Sequence, residues 1–233
     1  MKETKKLKEG HGRIGTGMNE LDRLLGGGFP ERTVILLTGA PGTGKTIFGL
    51  NYVVQGAARG QKGCYVSLNE TREELLRACS GFRSLEIAPG HMEKELAFAD
   101  MRLEDIDDIA HFVSILESYP NLDRLVIDNL NKLLFSAPSQ REFRLGLSSL
   151  IRFLKTRVGC SLLLCETRDG RETENNEAYD CDGVLNLSFL EVEEKPRRIL
   201  TIDKMRYAQI DARVPREFAI DRRGIRLTGT RMI

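Results

Sequence analysis

Eight consecutive residues, Gly39-Ala40-Pro41-Gly42-Thr43-Gly44-Lys45-Thr46, have the types and spacing that can hold a polyphosphate. They satisfy the pattern G-x-x-x-x-G-K-[ST] at every fixed position. Glycines let the main chain approach phosphate oxygens without Cβ clashes, so several backbone N–H groups can turn inward around the anion. A helix opening at Lys45, Thr46 and Ile47 adds the positive end of its dipole. Lys45 brings a mobile ammonium to the β and γ phosphates, and the Thr46 hydroxyl is a hard oxygen ligand for Mg²⁺.

Such a loop works only between a strand and a helix, and the flanks supply both. Val34-Ile35-Leu36-Leu37 is a short, continuous apolar run of the kind buried on both faces of a parallel sheet. After the loop, Ile47, Leu50, Val53, Val54 and Ala57 recur at helical spacing until Gly60 stops the pattern. A second apolar run, Leu125-Val126-Ile127-Asp128, ends in an acid. A carboxylate there is costly to bury without a partner, and a Mg²⁺ held by Thr46 is the natural one. Thr46 and Asp128 are therefore the predicted metal ligands.

Further strands bring polar residues to the same edge. Gly63-Cys64-Tyr65-Val66-Ser67-Leu68 leads into Asn69-Glu70-Thr71, and Ser161-Leu162-Leu163-Leu164-Cys165 leads into Glu166-Thr167. Residues just past the carboxyl ends of parallel strands are where ligands bind in open sheets. Glu166 and Thr167 either sense a terminal phosphate or begin a loop. Residues 96–100 form a third strand, and residues 73–82 and 142–156 are amphipathic helices. An acidic helix carries the stripe Ile106, Ile109, Ala110, Val113 and Leu116. Ahead of the loop, Thr16 or Asn19 is placed to cap a short helix burying Leu21, Leu24 and Leu25, which Gly26-Gly27-Gly28 ends. Beyond residue 183, alternating β-branched runs at 184–192, 198–206 and 217–227 predict an antiparallel extension, with Arg222-Arg223-Gly224 turning between the last two strands.

Composition narrows the class. The 233 residues carry a net charge of +1 from 35 basic and 34 acidic side chains, which gives no bulk attraction to nucleic acid or an anionic membrane. The stretch 168–182 is acidic and would repel a phosphate backbone, so a DNA motor is the least favoured reading. No run approaches a membrane span, and Met1-Lys2-Glu3-Thr4-Lys5-Lys6 lacks an apolar signal core, which predicts a cytoplasmic protein. The five cysteines form no CxxC pair and read as buried thiols.

With these pieces placed, the sequence resembles the RecA superfamily of P-loop NTPases, and within it the KaiC-type single-domain ATPases. The resemblance rests on Ile14-Gly15-Thr16-Gly17-Met18-Asn19-Glu20-Leu21-Asp22 with the triple glycine, the loop at 39–46, Val66-Ser67-Leu68-Asn69-Glu70-Thr71, the run ending at Asp128, and Lys204-Met205-Arg206. It implies an α/β fold of RecA type: a mostly parallel central sheet flanked by helices, with the C-terminal antiparallel extension. Residues 1–12 would be a flexible basic segment and residues 13–233 a single ATPase domain. The resemblance also implies ATP and its product ADP as the nucleotide, and a homo-oligomeric ring, usually of six, with nucleotide between neighbours. Lys204 and Arg206 would reach the γ-phosphate of the adjoining subunit. By themselves, these two are simply charges sharing one face of a strand.

Two departures from the family pattern bear on activity. Where the family often pairs two glutamates, this chain has Asn69-Glu70. Asn69 orients water but accepts no proton, so Glu70 is the candidate base or hydrolysis is weak, leaving a nucleotide-gated assembly module that an unknown protein partner reads. The clock-type autokinases of the family are phosphorylated on Ser and Thr before the first C-terminal strand. Residues 175–183 contain neither, which excludes that activity.

Overall fold

The structure, a computed structural model, describes residues 12–86, 94–167, 173, 177–192 and 194–231. The expected flexible N-terminal segment falls outside them but for Gly12, as does most of the acidic stretch 168–182.

Two short strands, β1 (Arg13–Ile14) and β2 (Phe29–Pro30), pair antiparallel around α1 (Asn19–Leu24). The main run then follows: β3 (Thr33–Gly39), α2 (Lys45–Ala57), β4 (Gly63–Ser67), α3 (Arg72–Ser80), β5 (Leu96–Asp100) and α4 (Ile109–Leu116). After these come β6 (Arg124–Asp128), α5 (Gln140–Arg157), β7 (Cys160–Glu166) and the short α6 (Glu177–Asp180). The chain ends with β8 (Gly183–Val192), β9 (Lys195–Met205), β10 (Arg216–Asp221) and β11 (Gly224–Arg231). Among the described residues nine strands share one sheet in the order β11-β10-β9-β8-β3-β7-β6-β4-β5. From β8 through β5 all neighbours are parallel, and from β8 outward to β11 all are antiparallel. The expected α/β fold with its antiparallel extension is the observed one.

The apolar runs explain the layering. Every residue of β3 is buried, because successive side chains alternate between two cores. Ile35 and Leu37 pack with Phe48, Leu50 and Val53 of α2 and Leu75 of α3. Val34 and Leu36 pack with Phe112 and Leu116 of α4 and Phe143, Leu147 and Leu154 of α5. Truncating a fully buried leucine such as Leu36 to alanine costs about 2–5 kcal/mol.

Three details differ from expectation. β8 was grouped with the antiparallel extension, yet it pairs parallel with β3 on one side and antiparallel with β9 on the other, so it joins the two halves. In the acidic helix Phe112 is buried while Ala110 is exposed, and Ile106 packs from the turn before the helix; the larger ring takes the core position. Neither Thr16 nor Asn19 caps α1. Met18 stands at the N-cap, and the Thr16 hydroxyl instead accepts the Met18 N–H at 3.1 Å within its own turn. All five cysteines are buried free thiols; burial pushes Cys64 and Cys181 up to about 12. Among the described residues no helix is long and apolar enough to cross a membrane.

Candidate nucleotide site

Strand register places the chemistry at one edge. Gly39 lies level with Glu166, and Ser67 lies level with Asp128, so β3, β7, β4 and β6 deliver their carboxyl ends together. The loop from Gly39 to Thr46 leaves this edge with Pro41 and Gly42 exposed at its tip, and Ala40 and Ile47 partly exposed. Gly44 is left-handed at φ 110°, and a Cβ there would meet Ile220 Cδ1 at 2.5 Å. The left-handed backbone is what favours glycine here, since the Ile220 methyl could shift aside.

Gly44 is also the N-cap of α2, and it supplies no side-chain acceptor. The other long helices are closed: Thr71 forms a capping box on α3, Asp108 caps α4, and Ser139 caps α5. The first-turn N–H groups of an α-helix have no intrahelical acceptor. At α2 they face a loop of exposed glycine, which is the arrangement an anion fits.

Lys45 is buried and folds back, donating from Nζ to the carbonyls of Gly39 at 2.8 Å and Ala40 at 3.1 Å. Burial lowers its pKa, while the charges of Glu166 and Asp128 oppose that shift. The Thr43 hydroxyl ties the loop further by donating to Ala40 O at 2.8 Å. The Thr46 hydroxyl donates to Asp128 Oδ2 at 3.0 Å, and the Tyr65 phenol donates to the same oxygen at 2.6 Å. Burial raises the Asp128 pKa, and these two hydrogen bonds pull it back. Hard oxygens so placed fit Mg²⁺, which takes few protein ligands and keeps several waters.

The sequence marks Tyr65 only as an interior strand residue. Its signal was a phenol in a run otherwise apolar up to Ser67, because a buried hydroxyl needs a partner. Naming that partner required knowing that β4 lies beside β6.

Glu70 is half-buried, and its Oε2 is buried without a hydrogen-bond partner among the described residues. Burial raises its pKa first, and the negative charges of Asp128 and Glu74 add to the effect. Asn69 is exposed; the backbone N–H groups of Asn69 and Glu70 bond Ser67 Oγ at 3.3 and 2.8 Å. Thr167 stands beside the loop, its N–H donating to Gly39 O at 3.2 Å while its own buried hydroxyl has no partner among the described residues. Glu166 is exposed and is held through its backbone by the Asn131 amide.

Lys204 and Arg206 are elsewhere. β9 runs antiparallel to β8, so Lys204 lies level with Val184 and Met205 with Gly183, at the start of β8. Gly183 in turn lies level with Ile35, four residues before Gly39, which is about 13 Å along the strand. Lys204 Nζ donates to the carbonyls of Ala178 at 3.1 Å, Tyr179 at 3.2 Å and Cys181 at 2.6 Å. Burial lowers its pKa, as does the adjacent Arg206. Arg206 NH1 donates to Asp182 Oδ1 at 3.4 Å. The two bases thus sit at the amino edge of the sheet, opposite their own chain's loop. A groove of about 570 Å³ lined by Arg141, Arg144, Leu145 and Asp180 includes none of the predicted site residues.

Comparison with known proteins gives a consistent picture. Residues 14–231 match the family described as ATPase: KaiC. The chain is 30% identical over 225 residues to the circadian clock protein KaiC3 of Synechocystis, covering 92% of this chain and 43% of that protein. It therefore spans less than half the length of that relative. A UPF0273 protein of Thermotoga maritima is 29% identical over 83% of this chain and 87% of its own length. Among solved structures, the KaiC-like protein PH0186 from Pyrococcus horikoshii aligns with a TM-score of 0.79 at 26% identity, covering 93% of this chain and 99% of that one.

Proposed function

Given that the chain belongs to the KaiC ATPase family, we propose that it binds ATP with Mg²⁺ and hydrolyses it slowly at the interfaces of a homo-oligomeric ring, six subunits by family resemblance. The observation that carries this reading is the separation of parts: an uncapped helix with Lys45, Thr46 and Asp128 at one edge of the sheet, and Lys204 with Arg206 at the other. A subunit so built cannot close its own site, whereas head-to-tail contacts bring the two edges together and close into rings.

In this reading the loop amides and the α2 dipole hold the phosphates, and Lys45 leaves its loop carbonyls for the β and γ oxygens. Thr46 and Asp128 hold Mg²⁺, directly or through water, with Tyr65 orienting the carboxylate. The metal, when bound, neutralises charge on the phosphates. Glu70 takes a proton from the attacking water, its raised pKa suiting a base. Lys204 and Arg206 from the adjoining subunit stabilise charge on the transferred phosphoryl group.

Mixing tests this directly. Lys45→Ala subunits keep the arginine but lose the phosphate site; Arg206→Ala subunits keep the site but lose the arginine. Each alone should turn over ATP poorly, and the mixture should exceed the sum of the two. A mixture equal to that sum would reject action between subunits.

A second reading, a nucleotide-gated assembly module with negligible turnover, is favoured by the exposed Asn69 where the family often has an acid. Retained nucleotide with turnover no higher than in Lys45→Ala would select it.

A further inference from the structure

Asp182 is a buried carboxylate shared among three donors from distant parts of the chain. Its Oδ2 accepts the Val34 N–H at 3.1 Å, at the foot of β3. Its Oδ1 receives both Lys155 Nζ at 2.9 Å, from the last turn of α5, and Arg206 NH1 at 3.4 Å. The Asp182 side chain is 2% exposed, Lys155 31% and Arg206 50%.

The two bases of the pair differ in how they are held. Lys204 donates to three backbone carbonyls, which hold it against residues 178–181 more firmly than Arg206 is held. Arg206 is half exposed, and among the described residues its guanidinium has one long side-chain bond, so most of its fork remains for another anion. Lys155 is the closer cation on the same oxygen. If Arg206 swings away, Asp182 keeps Lys155 and the Val34 N–H, and no buried charge is left alone, which would be strongly disfavoured.

We propose that Asp182 is a positioning residue that restrains Arg206 until a neighbour's terminal phosphate competes for it, and that Lys155 sets the strength of that restraint. The inference rests on the reading that Arg206 acts between subunits. Its consequence is a cost on association: a triphosphate must outcompete Asp182 for the guanidinium, and a diphosphate, lacking the terminal group, leaves it on Asp182.

The test is self-association of the full chain, measured with a non-hydrolysable ATP analogue and separately with ADP, each with Mg²⁺. In Asp182→Asn the amide oxygen still accepts the Val34 N–H but holds Arg206 weakly. The ratio of association with the triphosphate to that with ADP should grow about tenfold, because engaging the terminal phosphate no longer costs the Asp182 contact and the diphosphate does not engage the guanidinium. In Lys155→Met the carboxylate has only Arg206 as its cation and grips it harder, so association with the triphosphate should weaken about tenfold. The double variant should behave as Asp182→Asn does. Affinity of the single subunit for the nucleotide should not change in any of them.

A merely structural tie would lower association with both nucleotides alike and leave the ratio where it was, and that result overturns the proposal. The Arg206→Ala variant separates the two levels. If it weakens association with the triphosphate while the Asp182 and Lys155 variants leave the ratio intact, only this inference falls. If Arg206→Ala matches the parent, or the parent does not associate with either nucleotide, the inference and the ring reading fall together.

Discussion

The two edges of the central sheet handle polar groups in opposite ways. At the carboxyl edge groups are left open: among the described residues α2 has no side-chain cap and Glu70 Oε2 and the Thr167 hydroxyl are buried without partners, while Lys45 is parked on its own loop. At the amino edge the charged groups are engaged: Lys204 has three carbonyls and Asp182 has three donors, and the buried Ser161 hydroxyl is the exception, without a partner among the described residues. Buried polar groups in folded proteins are normally paired, so open ones mark where something else is to bind. The contrast sets an edge with open polar groups beside a bare helix start against one whose cations rest on internal partners.

If that contrast holds, changes at the two edges should have different signatures. The largest effect is expected at the amino edge, where Arg206→Ala should lower turnover by about 10³-fold with nucleotide affinity of the single subunit unchanged. A parallel loss of affinity, read by titrating a fluorescent nucleotide, would blur the distinction between the edges. Asp128→Asn should lower turnover by about 10²-fold and raise the Mg²⁺ concentration needed for half-maximal rate. Full activity at the parent's Mg²⁺ requirement would remove Asp128 from the metal site.

Smaller effects sharpen the carboxyl edge. Tyr65→Phe removes one hydrogen bond to a charged group and should cost about tenfold in rate, again with a shifted Mg²⁺ requirement. Phosphate release in Asn69→Glu should rise above the parent; no rise would discount Asn69 as a brake on hydrolysis.

The last prediction concerns pH. Burial holds the Glu70 carboxyl above the usual range in the folded chain. At low pH it is protonated whether folded or not and contributes nothing; as pH rises through the folded value, the folded state alone bears the cost of ionisation. Glu70→Gln should therefore be more stable than the parent at pH 8 and equal to it near pH 3, while the parent's turnover should fall as acid protonates the same group. Melting curves that stay superimposed across this range would show that Glu70 is not strained.

Much of the carboxyl edge could be read from local sequence. The loop, its strand and its helix are contiguous, and Asp128 ends a run whose burial follows from its residue types. What escaped was set by pairing across long separations. Tyr65 meets Asp128 only because β4 lies beside β6, and Asp182 meets Val34 across 148 residues. The parallel pairing of β8 with β3 escaped for the same reason: an alternating strand reads alike whichever way its neighbour runs. Lys204 and Arg206 were visible as a pair, but their location at the far edge depends on β9 running back along β8.

The bare start of α2 also has a thermodynamic consequence. A group that only the native chain offers, and only a ligand completes, links conformational stability to ligand concentration. With nucleotide at 100 times its dissociation constant, the folded state gains about 2.7 kcal/mol, so the melting temperature becomes a gauge of occupancy. Depleting the surrounding pool would shorten this protein's lifetime as well as idle it.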